Sequence, residues 1–190
     1  MALTFANKIT ICRILLVPFF IMTVLSYTPA DDFLRFVALG IFMFAIISDV
    51  IDGYIARTRH QKTKAGAILD PLADKILLIS AFICLYKIGI LLEGVRFPVW
   101  LVVAVISRDI ILLLGVTIIY MLRGEGAIQP TPWGKATTFF QVLSIIGILL
   151  QWPLFSLAWY PMLVFTVIST IDYTRKGIKV INNQEETPAT

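Results

Sequence analysis

Long apolar runs separated by short polar segments make up most of this chain. Six of the runs approach the ~20 residues that a helix needs to cross a bilayer. The sequence therefore predicts an all-α integral membrane protein with six transmembrane helices. The predicted spans cover residues 9–27, 33–55, 71–92, 97–122, 133–151 and 154–171.

The six predicted spans form one domain, residues 1–181, because no internal repeat or long linker divides them. The first ten residues are mildly amphipathic, which favours a segment that lies in the membrane interface. The remaining residues, 182–190, are polar and are predicted to be a disordered tail.

Composition supports a membrane location. Hydrophobic residues make up 58% of the chain and charged residues only 15%, whereas a soluble domain has about 25% charged residues. The mean hydropathy is +0.88. A soluble globular protein is therefore excluded.

The distribution of basic residues predicts the orientation in the membrane. With the N-terminus placed in the cytoplasm, twelve Lys and Arg residues fall on the cytoplasmic side and three on the outer side. Such an asymmetry is typical of a multi-pass protein of the cell (inner) membrane, with both termini inside. The net charge of +4 then indicates contact with anionic lipid headgroups rather than with nucleic acid.

Four aspartates lie around the second connection of the chain, which is cytoplasmic in this orientation. Asp49 and Asp52 share one face at the end of span two, and Asp70 and Asp74 share one face at the start of span three, where Pro71 suits a first helical turn. The connection is short, so the two helix ends must be neighbours. Four converging carboxylates would repel one another by several kcal/mol at an effective dielectric constant of about 20.

Divalent cations are the natural counter-charge, because Mg²⁺ and similar ions prefer oxygen ligands. Two such ions would balance four aspartates, whereas Arg57 and Lys75 alone are too few. One alternative is that an acidic pair at a helix end is only a solvated cap. The spacing of all four carboxylates favours a functional site, since ionisable residues in membrane segments are usually functional.

Small residues accompany the carboxylates. Gly53, Ala56 and Gly66 leave room for a substrate against the backbone, although close helix–helix packing is an alternative role. Arg57 lies beside the same face, and its planar guanidinium suits a phosphate group. The segment thus combines cation ligands with space and charge for a phosphorylated substrate.

This segment resembles the signature of the CDP-alcohol phosphatidyltransferases at eight positions with fixed spacing. The six spans are similar to the fold of that family, and "NKITICR" (7–13) resembles the start of its bacterial members. The matching residues are Asp49, Asp52, Gly53, Ala56, Arg57, Gly66, Asp70 and Asp74.

The resemblance implies a role for each matching residue. Asp49, Asp52 and Asp70 would hold two divalent ions, Mg²⁺ or Mn²⁺, and Asp74 would complete the site and act as general base. The cations would bind the diphosphate of CDP-diacylglycerol. The three small residues would make room for the cytidine, with Arg57 beside the phosphates. Relatives also suggest a homodimer by analogy.

Two further blocks bear on the acceptor alcohol. "ISRDIILLLG" (106–115) places Arg108 within span four, and "WGKATTFFQ" (133–141) places Lys135 at the start of span five. Both blocks resemble those of phosphatidylglycerophosphate synthases and of CMP-forming cardiolipin synthases. We predict that Arg108 and Lys135 bind the acceptor phosphate, the alternative for Arg108 being a structural ion pair with a carboxylate.

The acceptor blocks depart from the phosphatidylglycerophosphate synthase pattern at two positions. Asp109 stands where Glu is usual, and Val116 stands where a second Arg is usual. Cardiolipin synthases of the family often share both features, so phosphatidylglycerol is the alternative acceptor. We predict transfer of the phosphatidyl group to glycerol-3-phosphate, with release of CMP.

Two other classes fit less well. A UbiA-type prenyltransferase also uses Asp pairs and Mg²⁺, but its chain is longer and its motifs are not joined by a short loop that contains glycine. A small transporter commonly has repeat halves and polar residues at the membrane midplane. This chain has no repeat, and its carboxylates lie at one membrane surface.

Overall fold

The computed structural model describes residues 5–29, 32–58, 64–89, 97–123 and 131–182. Within these ranges, only the backbone is described for residues 5–8, 52–58, 64–71, 119–123 and 177–182. The predicted tail therefore lies outside the described residues, apart from its first position, Asn182.

Six α-helices and one 3₁₀-helix make up the described part of the chain, which contains no β-strand. The α-helices are α1 (Phe5–Leu25), α2 (Phe33–Thr58), α3 (Lys64–Ile88), α4 (Val99–Arg123), α5 (Pro132–Leu149) and α6 (Trp159–Asn182). The 3₁₀-helix, Phe155–Ala158, connects α5 to α6. The all-α prediction is confirmed, and each helix coincides with one predicted span.

Helix bounds differ from the predicted spans where helices continue beyond the apolar run. The prediction that Pro71 lies in a first helical turn is wrong, because α3 begins at Lys64. Hydropathy detects the part of a helix that suits a bilayer, not the polar turns that extend it. At the N-terminus, the helix likewise begins at Phe5, within the segment predicted to lie in the interface.

Three helices are long and apolar enough by themselves to cross a membrane, among the residues that are described. Their apolar segments are Phe33–Ile51, Val99–Ile118 and Phe155–Lys176, and a shorter apolar segment covers Ile9–Leu25. The protein is thus a membrane protein. That α1, α3 and α5 also cross the bilayer stays a prediction.

The outer surface of the bundle is apolar. Along α6, Tyr160, Val164, Val167 and Ile171 are all exposed and recur at intervals of three or four residues. The opposite face of this helix is buried and includes Thr166 and Ser169. A bundle with an apolar exterior and buried polar side chains is suited to a lipid surrounding.

Helix α1 packs extensively against α2 and α3, and α5 packs against α6. Helix α4 contacts α3 and α6, which joins the first three helices to the last three. Phe20 of α1, Phe42 of α2 and Leu77 of α3 are almost completely buried in the core of the bundle. Helix α3 is therefore central, with neighbours from both halves of the chain.

A tight connection ends α5. Gln151 has a left-handed backbone (φ 52°), and its N–H donates to the carbonyl of Ile148 at 2.9 Å. The N–H of Trp152 donates to the carbonyl of Gly147, also at 2.9 Å. These two bonds form a Schellman motif. The motif turns the chain so that Phe155 packs directly on Gly147.

Candidate functional site

The buried stripe of each helix changes from apolar to polar toward one part of the bundle. In α1 the stripe contains Phe20 and Val17 and continues, at intervals of three or four residues, through Arg13 to Thr10. In α2 the face of Ala38, Phe42 and Ala45 reaches Asp49 at the same spacing. Helical periodicity therefore aims the polar groups at neighbouring helices rather than at lipid.

Arg13 brings two of the signature aspartates together. Its Nη2 lies 2.7 Å from Oδ1 of Asp49 on α2, and its Nη1 donates to Oδ1 of Asp74 on α3 at 2.8 Å. Arg13 is 1% exposed, whereas the two carboxylates are 36% and 37% exposed. One guanidinium thus joins three helices, and both carboxylates remain partly accessible.

Six other signature residues lie at the facing ends of α2 and α3. The end of α2 carries Asp52, Gly53, Ala56 and Arg57, and the start of α3 carries Gly66 and Asp70. Their side chains fall outside the described set, so no group of three potential metal ligands is found among the side chains that are described.

The donor set fits a hard divalent cation. Asp49 and Asp74 come from different helices, yet both reach the same positive group, and carboxylate oxygens are the ligands that Mg²⁺ and Mn²⁺ prefer. Two carboxylates that approach one point from different helices supply oxygen ligands of the kind that such an ion needs. Asp52 and Asp70, each within about one helical turn of these residues, could complete such a site.

Asp109 is the centre of a second polar cluster. The carboxylate is 1% exposed. Its Oδ1 lies 3.0 Å from Nζ of Lys75 and 2.6 Å from Nη1 of Arg108. Its Oδ2 accepts a hydrogen bond of 3.0 Å from the side-chain amide of Gln141. Three helices, α3, α4 and α5, thus meet at one buried carboxylate.

Arg108 forms an ion pair with Asp109. A structural ion pair of this kind was the alternative to binding of the acceptor phosphate by Arg108. Besides Asp109, it contacts Ser169 of α6, whose hydroxyl accepts a hydrogen bond of 2.5 Å from Nη2. Its Nε is buried and has no hydrogen-bond partner among the described residues. The guanidinium is therefore fixed on one side and retains one donor for a further polar group.

The start of α5 lies beside Arg108. Thr131 caps this helix, its hydroxyl accepting a hydrogen bond of 3.1 Å from the N–H of Gly134. A Cβ at Gly134 would lie 3.5 Å from Nη2 of Arg108 and 3.4 Å from the ring of Tyr173. The exposed Lys135 follows Gly134 directly in the chain.

Lys75 connects the two polar clusters. It follows Asp74 in the chain, and its ammonium group binds Asp109. The contacts therefore run from Asp49 through Arg13 to Asp74, and from Lys75 through Asp109 to Arg108. The candidate base Asp74 is thus linked to Arg108 through its chain neighbour Lys75 and a short series of side-chain contacts.

An apolar groove of about 290 Å³ lies between α1 and α2, beside Arg13. Ile9 and Leu16 line one wall and Phe44 and Ile51 line the other. The groove could hold a hydrocarbon chain next to the carboxylates.

Sequence reasoning did not find four of the residues that form these clusters. Arg13 counted only as a cytoplasmic charge, Lys75 was considered only as an insufficient counter-charge to the four aspartates, and Gln141 and Ser169 received no role. A weak signal existed for Arg13, since it lies in "NKITICR" and basic residues are costly within an apolar helix. Its partners could not be identified, because Asp74 is 61 positions away.

Comparison with known proteins gives a consistent result. Residues 3–171 match the model of the CDP-alcohol phosphatidyltransferase family. A Mycobacterium tuberculosis protein named "Probable phosphatidylglycerophosphate synthase" is 33% identical over 188 residues, 96% of this chain and 85% of that protein. The Bacillus subtilis CDP-diacylglycerol–glycerol-3-phosphate 3-phosphatidyltransferase is 30% identical, covering 90% and 93% of the two chains.

A third relative bears a different name. The Mycobacterium bovis protein named "Putative cardiolipin synthase" is 34% identical over 148 residues, which cover 78% of this chain and 65% of that protein. Relatives that bear the names of both enzymes suggested by the sequence are thus similar to this chain.

Proposed function

The chain belongs to the CDP-alcohol phosphatidyltransferase family, and we propose that it transfers the phosphatidyl group of CDP-diacylglycerol to glycerol-3-phosphate. The products are phosphatidylglycerophosphate and CMP, so the enzyme serves phospholipid biosynthesis. The observation that carries this proposal is the pairing of Asp49 and Asp74 around one positive group. Both aspartates belong to the signature of a family that generally uses a divalent metal.

Asp74 is the general base in this proposal. The acceptor hydroxyl gives its proton to the carboxylate as its oxygen forms a bond to the phosphorus that bears the diacylglycerol. The bond from that phosphorus to the bridging oxygen breaks, and CMP leaves with the electron pair. The carboxylate of Asp74 is held in one orientation by the hydrogen bond of 2.8 Å that it accepts from Arg13.

Asp49, Asp52, Asp70 and Asp74 would hold the divalent cations, Mg²⁺ or Mn²⁺. When bound, such ions neutralise charge on the attacking and leaving oxygens of a displacement at phosphorus. Arg57 would bind a phosphate oxygen, and Gly53, Ala56 and Gly66 would leave space for the cytidine. The groove beside Arg13 supports a lipid substrate, since an acyl chain could lie there.

Arg108 and Lys135 would bind the acceptor phosphate. The buried Nε of Arg108 supports this role, because it has no partner among the described residues. Asp109 and Ser169 fix the guanidinium, so little side-chain entropy is lost on binding. Phosphatidylglycerol remains the alternative acceptor, supported by Val116 and by the relative named as a cardiolipin synthase.

We further propose that the active site faces the cytoplasm and that the chain crosses the inner membrane six times. The asymmetry of the basic residues supports this orientation. The protein would meet CDP-diacylglycerol and membrane lipids within the bilayer and would collect its acceptor from the cytoplasm. A homodimer is proposed only by analogy with relatives.

An acceptor screen tests the proposal. Purified protein would be incubated with CDP-diacylglycerol, Mg²⁺ or Mn²⁺, and each candidate alcohol, and the lipid products would be identified by mass spectrometry. We expect CMP and phosphatidylglycerophosphate with glycerol-3-phosphate, and inhibition by EDTA that added Mg²⁺ or Mn²⁺ reverses. Cardiolipin from phosphatidylglycerol, with no product from glycerol-3-phosphate, would instead identify a cardiolipin synthase.

A further inference from the structure

Arg13 lies on a helix that contributes none of the eight signature residues, yet it contacts two of them. The guanidinium is 1% exposed and binds Asp49 at 2.7 Å with one terminal nitrogen and Asp74 at 2.8 Å with the other. Of the described basic side chains, Arg13 alone pairs with two carboxylates from different helices. Helix α1 thus takes part in the candidate active site.

Both carboxylates depend on a positive group between them. They lie on α2 and α3, which both pack against α1, and are only about one-third exposed, so water screens their repulsion incompletely. A planar guanidinium spreads its charge over several nitrogens and can approach both carboxylates at once, whereas the charge of an ammonium group is concentrated at one nitrogen. Removal of the positive partner from a buried ion pair is strongly destabilising.

We propose that Arg13 is a positioning residue that holds Asp49 and Asp74 together before a divalent cation binds. This inference rests on the proposed cation site. Arg13 keeps the facing ends of α2 and α3 assembled in the metal-free protein, and Asp74 stays oriented for its role as base. Without Arg13, a cation bound by the two carboxylates takes over part of this role, so the stability of the variant depends on the cation more than that of the wild type does.

The experiment compares thermal unfolding of the full-length protein in detergent, in EDTA and in saturating Mg²⁺. We expect Arg13→Gln to lower Tm in EDTA by about 5 °C or more, and Mg²⁺ to recover most of that loss. The stabilisation by Mg²⁺ would therefore be larger in the variant than in the wild type.

Arg35→Gln is the matched control. Arg35 is also a buried arginine, 9% exposed, and pairs with Asp32 at 3.2 Å at the other end of α2. Its replacement should lower Tm by the same amount in EDTA and in Mg²⁺, because no proposed cation ligand is near. Comparison of the two variants therefore separates the loss of Tm caused by removing any buried arginine from the loss of Tm that depends on the cation site.

Arg13→Lys provides a second test if the glutamine variant does not fold. Lysine keeps the charge but offers one point of contact, so the gain in Tm from Mg²⁺ should lie between those of the wild type and Arg13→Gln. Equal gains in the wild type and the Arg13 variants would overturn the inference while leaving the cation site intact. No gain from Mg²⁺ in any protein would overturn both the inference and the proposed cation site.

Discussion

Charged side chains in this protein are held by specific partners rather than by solvent. Asp109 accepts contacts from Lys75, Arg108 and Gln141 while it is 1% exposed. A buried carboxylate with three donors is stable, whereas one that loses a donor bears an uncompensated desolvation cost. Among the described candidate residues, Arg108 is held by Asp109 and Asp74 is held by Arg13.

The role of Asp74 as general base gives the first prediction. Asp74→Asn preserves the size of the side chain but removes the proton acceptor, so kcat should fall by a factor of about 10²–10⁴. Asp172→Asn is the control, because Asp172 forms a surface ion pair with Lys176 at 3.0 Å and should keep nearly full activity. Full turnover in a folded Asp74→Asn protein would contradict the assignment.

Lys135 gives a prediction about the acceptor. A charge-assisted hydrogen bond contributes about 1.5–3 kcal/mol, so Lys135→Ala should raise the KM for glycerol-3-phosphate about ten-fold or more. The KM for CDP-diacylglycerol should change little. Lys176→Ala, which removes an exposed lysine from α6, should leave both constants unaltered. An equal rise in both KM values for Lys135→Ala would argue against a specific acceptor role.

The helix is the scale at which the sequence was most informative. Apolar runs predicted all six helices, because a bilayer forces backbone hydrogen bonds to be satisfied within each segment. The start of α3 was misplaced, since the residues from Lys64 to Pro71 are less apolar and yet helical. Hydropathy records the solvent that a segment meets, whereas helix ends depend on local backbone geometry.

The close approach of α5 and the 3₁₀-helix gives a prediction about stability. A Cβ at Gly147 would lie 2.5 Å from Cβ of Phe155, which is too close for two carbon atoms, so Gly147→Ala should lower Tm. Gly115→Ala is the control, because a Cβ there would meet nothing within 4 Å. That change should be neutral or slightly stabilising, since alanine favours a helix more than glycine by up to about 1 kcal/mol.

At the scale of the whole molecule, contacts between distant residues decide the site. The spacing of the aspartates was visible in the chain, and the resemblance to the family assigned their roles. The contact of Arg13 with both carboxylates was not visible, because it depends on how α1 lies against α2 and α3. For the same reason, the contact of Arg108 with Ser169 became apparent only from the packing of α4 against α6.

The proposed orientation predicts which face of the membrane each connection meets. In a variant without Cys12 and Cys84, a cysteine at Thr174 should react with a membrane-impermeant maleimide only after the cells are opened. A cysteine at Thr28, an exposed residue between α1 and α2, should react in cells whose inner membrane is intact, once the reagent can reach the outer face of that membrane. The reverse pattern would overturn the charge-based orientation.

The cluster around Asp109 also has a consequence for biosynthesis. Arg108 enters the bilayer with α4, but Gln141 and Ser169, which complete the cluster, leave the ribosome later with α5 and α6. Until α6 is inserted, the Arg108 side chain lies beside lipid or the translocation machinery without its partner Ser169. The candidate acceptor site is therefore formed at the end of synthesis, and a chain that stops before α6 should be held back or degraded.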